Sequence, residues 1–511
     1  MPPANSWLSS LRSESSKPSG SSDRIVKVSR RFQFFPGRAK ALVVAFLVAL
    51  AMHAPAQQNP SSAGDPYYGS ITVEPATDTV LKLSLDDAVR RGFRNNLGLK
   101  EAVDNELTLK GEKNEALQEF LPTIKFTADT GYYQHDLVAL GFSKSEVSKF
   151  TGLFPGGVPP PNLALITRDD LTDATLHYDQ TLFSGPVIAG YKAAGAASRA
   201  AYFAKMKARG QVVQDVANTY LRAIADASEV EDAKSQVSEA QVLLNHEHLE
   251  HLAGTAANLD ELRAKVELQT QQQSLISAQN QLDKELILLK REIGIAPGQP
   301  VELTDPAPYS DLAAQTPEDA LVTAYKDRQD YQNLQNQAVE FKAIHQAYRA
   351  QRLPTLKFSS FYQTSSVDGS GTHGNFVAYG TVSVPLFREA RLRGDEDASQ
   401  AEKNSADDQL ADLKVYIDQQ VRSALLDVAA NAKLVDVARS NVGLAARELS
   451  DETDRVNAGV DDNLPLVTAQ ATLATAQTNL VESLYQYNVS KIALARACGV
   501  LEQQYRAYLG R

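Results

Sequence analysis

Two periods of apolar positions alternate along the chain, and each stretch keeps to one of them. From Thr123 to His135, Ile124, Phe126, Ala128, Thr130 and Tyr132 interleave with Lys125, Thr127, Asp129 and Gly131. A period of two predicts a strand with one apolar face. The pattern returns near Thr172 to Phe183, where Ala174, Leu176, Tyr178 and Leu182 oppose Thr175, His177, Asp179 and Thr181. It returns again from Thr355 to Val367 and from Phe376 to Phe387. Elsewhere the period lengthens. Leu466, Leu473, Leu480, Tyr487 and Leu494 recur every seven residues, and Ala469, Ala476, Ser483, Ser490 and Ala497 follow three positions after each. A large-then-small heptad held this long predicts a coiled-coil seam. Leu268, Leu275, Leu282 and Leu289 keep the same frame earlier in the chain. Two long helices, about 186–252 and 390–457, have no interior proline; each would be roughly 100 Å long at ~1.5 Å per residue. A shorter helix is expected from about Leu85 to Glu119, stopped by Pro122.

These elements come in two copies. Leu121-Pro-Thr-Ile-Lys-Phe126 recurs as Leu353-Pro-Thr-Leu-Lys-Phe358, a shift of 232 residues. A second correspondence, shifted by 205, pairs Ala253-Gly254 with Ala458-Gly459, Asn258-Leu259 with Asn463-Leu464, and Gly294 with Gly499. Each copy reads helix, strand, loop, strand, long helix, tight turn, helix. The expected organisation is a leader at 1–56, an N-terminal segment at 57–84, repeat one at 85–294, a linker at 295–317, repeat two at 318–499 and a tail at 500–511. In repeat one the hairpin spans 123–183 and includes the Gly/Pro-rich loop 154–161; in repeat two it spans 355–387 with a short loop at 368–372. A short helix from each half of a repeat, placed end to end, would match the length of one long helix.

The leader fixes the compartment. Arg30, Arg31, Arg38 and Lys40 precede the apolar run 41–52, and Ala54-Pro55-Ala56 follows it. A basic region, a short apolar core and a small-residue cleavage site describe a secretory signal peptide, and 12 residues are too few to span a bilayer. The chain of 511 residues has a single cysteine, Cys498, which excludes a disulfide framework and a cysteine-based zinc site. Its net charge of −11 argues against nucleic acid as a partner. A mean hydropathy of −0.29 excludes a polytopic helical membrane protein. Export without disulfides suits a Gram-negative envelope.

Strands of 12 or 13 residues with one apolar face are long enough to cross a membrane obliquely, which takes ~9–11. Four strands cannot close, and an open edge in lipid strands backbone polar groups, so several chains must share a barrel. Three chains give twelve strands and two give eight. The apolar side would face lipid, leaving Lys125, Asp129, His177, Asp179 and Lys357 toward a wet lumen. Tyr132, Tyr178, Phe183, Tyr362, Tyr379 and Phe387 suit interfacial girdles. The competing reading is a periplasmic coiled-coil scaffold or adaptor with soluble sheets and no pore.

The order of elements resembles the TolC-like outer-membrane efflux proteins. It does so through Leu121-Pro122, Thr181-Leu-Phe-Ser-Gly185, Leu353-Pro354, Pro385-Leu-Phe387 and the turns Leu252-Ala-Gly-Thr255 and Asn457-Ala-Gly-Val460. The resemblance implies a homotrimer with a 12-stranded β-barrel in the outer membrane, continued into the periplasm by an α-helical barrel. It implies a periplasmic adaptor and an inner-membrane pump of proton-driven (RND) or ABC type as partners. It implies passive export, no catalysis and no cofactor. The family's hairpin tips meet the adaptor, which points to Gly254, Thr255, Ala256 and Asn258 in one repeat and Gly459, Val460 and Asn463 in the other. Asp260 matches an acidic gate position, but Asp461 and Val456 stand where TolC has an arginine and a tyrosine, and Pro465 and Thr468 replace its constriction aspartates. Asp461 and Asp462, repeated threefold, would set six carboxylates at the entrance and favour cations there.

The remaining signals are weak. His246, His248 and His251 approach the first tip on a helical face without the H-E-x-x-H order of a metalloprotease, which reads as a solvated face. No nucleophile elbow and no phosphate-binding loop occur.

Overall fold

The computed structural model describes residues 62–71, 75–136, 166–254, 257–306, 309–313, 315–367, 371–458 and 463–510, with single positions at 139, 143, 145 and 149. All lie in one compact unit, 60–511. The leader, the loop 154–161, and Thr255, Ala256, Gly459, Val460, Asp461 and Asp462 fall outside them.

Each repeat is built around one helix of 69 residues, α3 (Gly185–Ala253) in the first and α7 (Glu389–Asn457) in the second. Against these lie shorter helices: α1 (Leu85–Asn95), α2 (Leu97–Gln118) and α4 (Asn258–Ile293) in repeat one. Repeat two has α5 (Pro317–Asp327), α6 (Gln329–Ala350) and α8 (Asn463–Ala497), and α9 (Leu501–Tyr508) follows. Helix α3 packs on α4 over one half and on α2 and α6 over the other, while α7 packs on α8 and α6.

The expected helix from Leu85 to Glu119 is in fact two. It breaks at Asn96, whose ψ of 130° is extended, and its counterpart breaks 232 residues later at Arg328, with ψ of 120°. Asn96 is better used as a cap: its side chain accepts from Leu99 N–H and donates to the Tyr67 carbonyl. Upstream, both first helices start alike. The Ser84 hydroxyl accepts from Asp87 N–H and the Thr316 hydroxyl from Asp319 N–H, each at 3.2 Å.

The breaks let short helices stack end to end beside each long one. Asn95 Nδ2 donates to the Ile293 carbonyl at 2.8 Å where α1 meets α4, and Arg328 Nη1 donates to the Ala497 carbonyl at 3.2 Å where α6 meets α8. The αL glycines Gly294 and Gly499 end α4 and α8 at these junctions. Along α8 and α4 the predicted seam is buried at Ala469, Tyr487, Leu494 and Ala497 and at Leu268 and Leu289.

The main core lies midway along the long helices. Leu85, Ala88 and Val89 of α1 close over Val212, Val213 and Val216 of α3, joined by Leu289, Ile293, Ile417, Val421 and Ile492. A two-stranded parallel sheet, β1 (Leu81–Leu83) on β4 (Val301–Leu303), edges this core. A second cluster, Leu243, Ala264 and Leu466, holds the helices together near the far tips.

At the opposite end stands a four-stranded antiparallel sheet in the order β2-β3-β5-β6. Strands β2 (Thr123–Asp136) and β5 (Thr355–Val367) lie where the alternation places them. Strand β3 (Ile166–Phe183) starts six residues before its expected position, and β6 (Thr372–Ser383) runs four residues earlier at both ends. Pro385 has no N–H to give the ladder, which is why β6 stops short of it.

Candidate functional site

The register of the sheet sorts its residues onto two faces, because directly paired positions of antiparallel strands point the same way. Lys125 pairs with His177, Thr123 with Asp179 and Asp129 with Asp173. His177 pairs in turn with Phe361, Asp179 with Ser359 and Thr181 with Lys357. Lys125, Asp129, His177, Asp179 and Lys357 therefore share one face. The Ser359 hydroxyl donates to Asp179 Oδ1 at 2.7 Å, and Ser365 donates to Asp173, so carboxylates on this face are held by neighbours across the ladder.

The other face carries Ile124, Phe126, Ala128, Leu176, Tyr178, Tyr362 and Phe376. Ile124 is 65% exposed and Phe126 67%, whereas Thr175 on the polar face is 8% exposed. Thr175 is the exception on its face: Lys125, Asp129, Asp179 and Lys357 are exposed as well, and among the described residues of this chain nothing covers the apolar face. Of the expected girdle, Tyr132, Tyr178 and Tyr362 lie on the apolar face. Tyr379 does not: it pairs with Ser359 and stands on the polar face. Phe387 lies beyond the end of β6, and with Leu386 it is almost fully exposed (96% and 92%).

At the helical end, Gly254 closes α3 in the left-handed conformation (φ 73°), with its N–H on the His251 carbonyl. Asn258 opens α4 after Ala257, which makes no side-chain cap. Asp260 sits in the first turn of α4, where a negative charge suits the helix dipole, and accepts from Arg263 at 3.1 Å. The matching residue Asn463 opens α8. The histidines stand on an exposed face, and the hairpin brings Glu261 back beside them, 2.9 Å from His248 Nδ1 and 3.9 Å from His251 Nε2. Among the described residues no cluster of three or more His, Cys, Asp or Glu is placed to hold a metal ion.

Between strands and tips lies a buried acidic group that no sequence pattern announces. Glu292 on α4 is fully buried, and its carboxylate accepts from the Thr219 hydroxyl of α3 at 3.2 Å. Burial, with the charge of Asp215, pushes it well above the usual carboxylate range. Burial likewise raises Asp215 to about 6 and Glu285 to about 7. These residues come from helices some 70 positions apart, so only packing brings them together.

A family model described as outer membrane efflux protein matches residues 112–294 and 320–500, one match for each repeat. The chain belongs to the outer membrane efflux protein family. Its place is accordingly the outer membrane of a Gram-negative cell, and it has the fold of the family's channels. Among curated relatives it is similar to the pyoverdine export outer membrane protein OpmQ of Pseudomonas aeruginosa, 23% identical over 440 residues, covering 84% of this chain and 87% of that one. It is also similar to the toluene efflux pump outer membrane protein TtgF of Pseudomonas putida, 25% identical over 302 residues, which is 56% of this chain and 60% of that one. Among solved structures it resembles the outer membrane protein VceC of Vibrio cholerae (TM-score 0.67, 17% identity, 81% of this chain and 96% of that one). It resembles CusC, whose structure bears on transmembrane channel formation, to a similar degree (TM-score 0.67, 15% identity, 88% and 99%). As an efflux family member the protein falls with channels rather than enzymes.

Proposed function

We propose that three copies of this chain close a 12-stranded β-barrel in the outer membrane, and that the barrel opens into a helical conduit through which substrates leave the cell. The observation that carries this reading is the sheet order β2-β3-β5-β6, which leaves β2 and β6 as edges without a partner strand in the chain, beside an exposed apolar face. Lipid offers no partner for those edges, so each β6 must pair with the β2 of a neighbour. Two chains would give eight strands, an interior just wide enough for side chains to fill; twelve leave room for water beside Lys125, Asp129, His177, Asp179 and Lys357.

The helices of 69 residues then reach about 100 Å from the membrane toward the inner membrane. The tips at Gly254–Asn258 and Gly459–Asn463 dock a periplasmic adaptor, and through it an inner-membrane pump of proton-driven or ABC type. Asp260, Asp461 and Asp462 ring the entrance and favour cations. Transport through the duct is passive. Relatives named for pyoverdine and for toluene support a duct that leaves the choice of cargo to the pump.

The test is insertion of the protein, purified from outer membranes, into planar bilayers. The expected result is discrete ion current from particles in which chemical cross-linking traps three copies. A protein that never inserts, or that cross-links only as a single subunit, supports the soluble scaffold instead.

A further inference from the structure

Where α6 is stacked on the end of α8, helices α3, α6, α7 and α8 leave a cavity of about 560 Å³ between them. That volume is within the range of small-molecule sites, and most of the residues in its wall carry polar groups on apolar stems. Three cations converge on it: Lys207 from α3, Arg328 at the start of α6, and Arg496 from α8. Arg328 is committed. Its Nε and Nη2 hold the Asp330 carboxylate at 3.0 and 2.6 Å, and its Nη1 donates to Gln420 Oε1 at 2.8 Å and to the Ala497 carbonyl.

The other two touch no carboxylate among the described residues, although Asp330 acts on both through its charge and Asp215 acts on Arg496. Among the same residues Arg496 donates to two neutral oxygens, the Lys207 carbonyl and Gln211 Oε1, both at 3.2 Å. Burial holds its guanidinium below its ordinary pKa, as expected for a cation taken from water without a carboxylate in contact. Lys207 has no hydrogen-bond acceptor for its ammonium among the described residues. Apart from Asp330, the one carboxylate in the wall is Asp427, which is exposed.

Arg496 is given its place from behind, by a residue outside the cavity wall. A Cβ at Gly210 would stand 2.2 Å from Arg496 Nη1. Glycine weakens a helix interior relative to alanine, and here, midway along α3, its missing side chain is the space in which the guanidinium lies. The side-chain amides of Gln214 and Gln419 add donors to the same wall.

We propose that this cavity binds a small, multiply charged oxyanion, of the size of inorganic phosphate or a compact polycarboxylate, with Arg496 and Lys207 as its charge-assisted donors. Two cations that no carboxylate touches, beside the already paired Arg328, favour more than one negative charge, and the planar guanidinium can grip two oxygens at once. The ligand would tie α3 of repeat one to α6 and α8 of repeat two. The inference is independent of pore formation.

The test is calorimetric titration of the full-length protein in detergent and phosphate-free buffer with inorganic phosphate and, separately, with citrate. Sodium chloride of equal ionic strength is the control. Saturable binding of either anion, absent with chloride, is expected, and the anion that binds tells the phosphate-sized from the polycarboxylate ligand. Lys207→Gln should weaken it by at least about tenfold, and Arg496→Gln and Gly210→Ala should abolish it. Lys207 is exposed and outside the core, so its variant carries the test should the other two fail to fold. No saturation by either anion, equal heats with chloride, or undiminished binding in Lys207→Gln would overturn the proposal.

Discussion

Gly499 and Gly254 have nearly the same torsion, φ 77° and 73°, yet replacing each by alanine should have unequal consequences. At Gly254, on the exposed tip, a Cβ meets nothing within 4 Å. The cost there is the left-handed conformation alone, about 1 kcal/mol. At Gly499 a Cβ would lie 2.6 Å from Arg328 N, 2.7 Å from Arg328 Cα and 2.7 Å from Asp327 C. These are backbone atoms and cannot rotate aside. Relief requires moving the α5–α6 break away from α8, which also loosens the Gln329 amide from the Gly499 carbonyl (2.8 Å) and Arg328 from the Ala497 carbonyl. Overpacking of this kind costs about 1–3 kcal/mol beyond the torsional term, so Gly499→Ala should lose about 2–4 kcal/mol. With a guanidinium m-value of about 5 kcal/mol/M, the far-UV dichroism midpoint should fall by roughly 0.4–0.8 M, against roughly 0.2 M for Gly254→Ala. Equal shifts in the two variants would refute the claim that end-to-end stacking, rather than torsion, makes Gly499 necessary.

Three further outcomes follow from the same geometry. Asp215, Glu285 and Glu292 bind protons more tightly folded than unfolded, so stability should fall as pH rises from about 4 through 6 and 7; Asp215 alone accounts for about 3 kcal/mol. The denaturation midpoint should be higher at pH 5 than at pH 7.5, and Asp215→Asn should flatten the difference; a midpoint that climbs with pH contradicts the assignment. Leu466→Ala empties the cluster with Leu243 and Ala264 and should cost about 2–5 kcal/mol, seen as faster tryptic cleavage near Arg263 and Arg455 with the strands still protected. Asp461→Asn with Asp462→Asn should lower the cation-to-anion permeability ratio of the inserted channel, and an unchanged ratio removes these carboxylates from the entrance.

Much of the fold was legible because its signals are local. The two-residue period in 123–135 and 355–367 marked strands β2 and β5, since a one-residue slip would turn every apolar side chain to the wrong side. The seven-residue period marked the seam of α8, because Leu466 and Leu494 must meet the same neighbour turn after turn. The shifts of 232 and 205 exposed the duplication, and both junction glycines fell on it. The extra six residues of β3 were not legible: Ile166 to Leu171 does not alternate cleanly, and its pairing with 131–136 is what makes it strand. The break at Asn96 was hidden by a helical pattern on either side of it, and is decided by the Tyr67 carbonyl that its side chain reaches across 29 residues.

Sequence by itself determined the strands and the long rods, which depend on residues within a few turns of one another, and the repeat, which self-comparison reads directly. Tertiary structure alone decided which residues meet across helices. It set Glu292 beside Asp215, Glu261 between two histidines, and Lys207 with Arg496 around one cavity. Such groups come from segments tens to hundreds of positions apart, and their charge, burial and protonation depend on distances that no local period encodes.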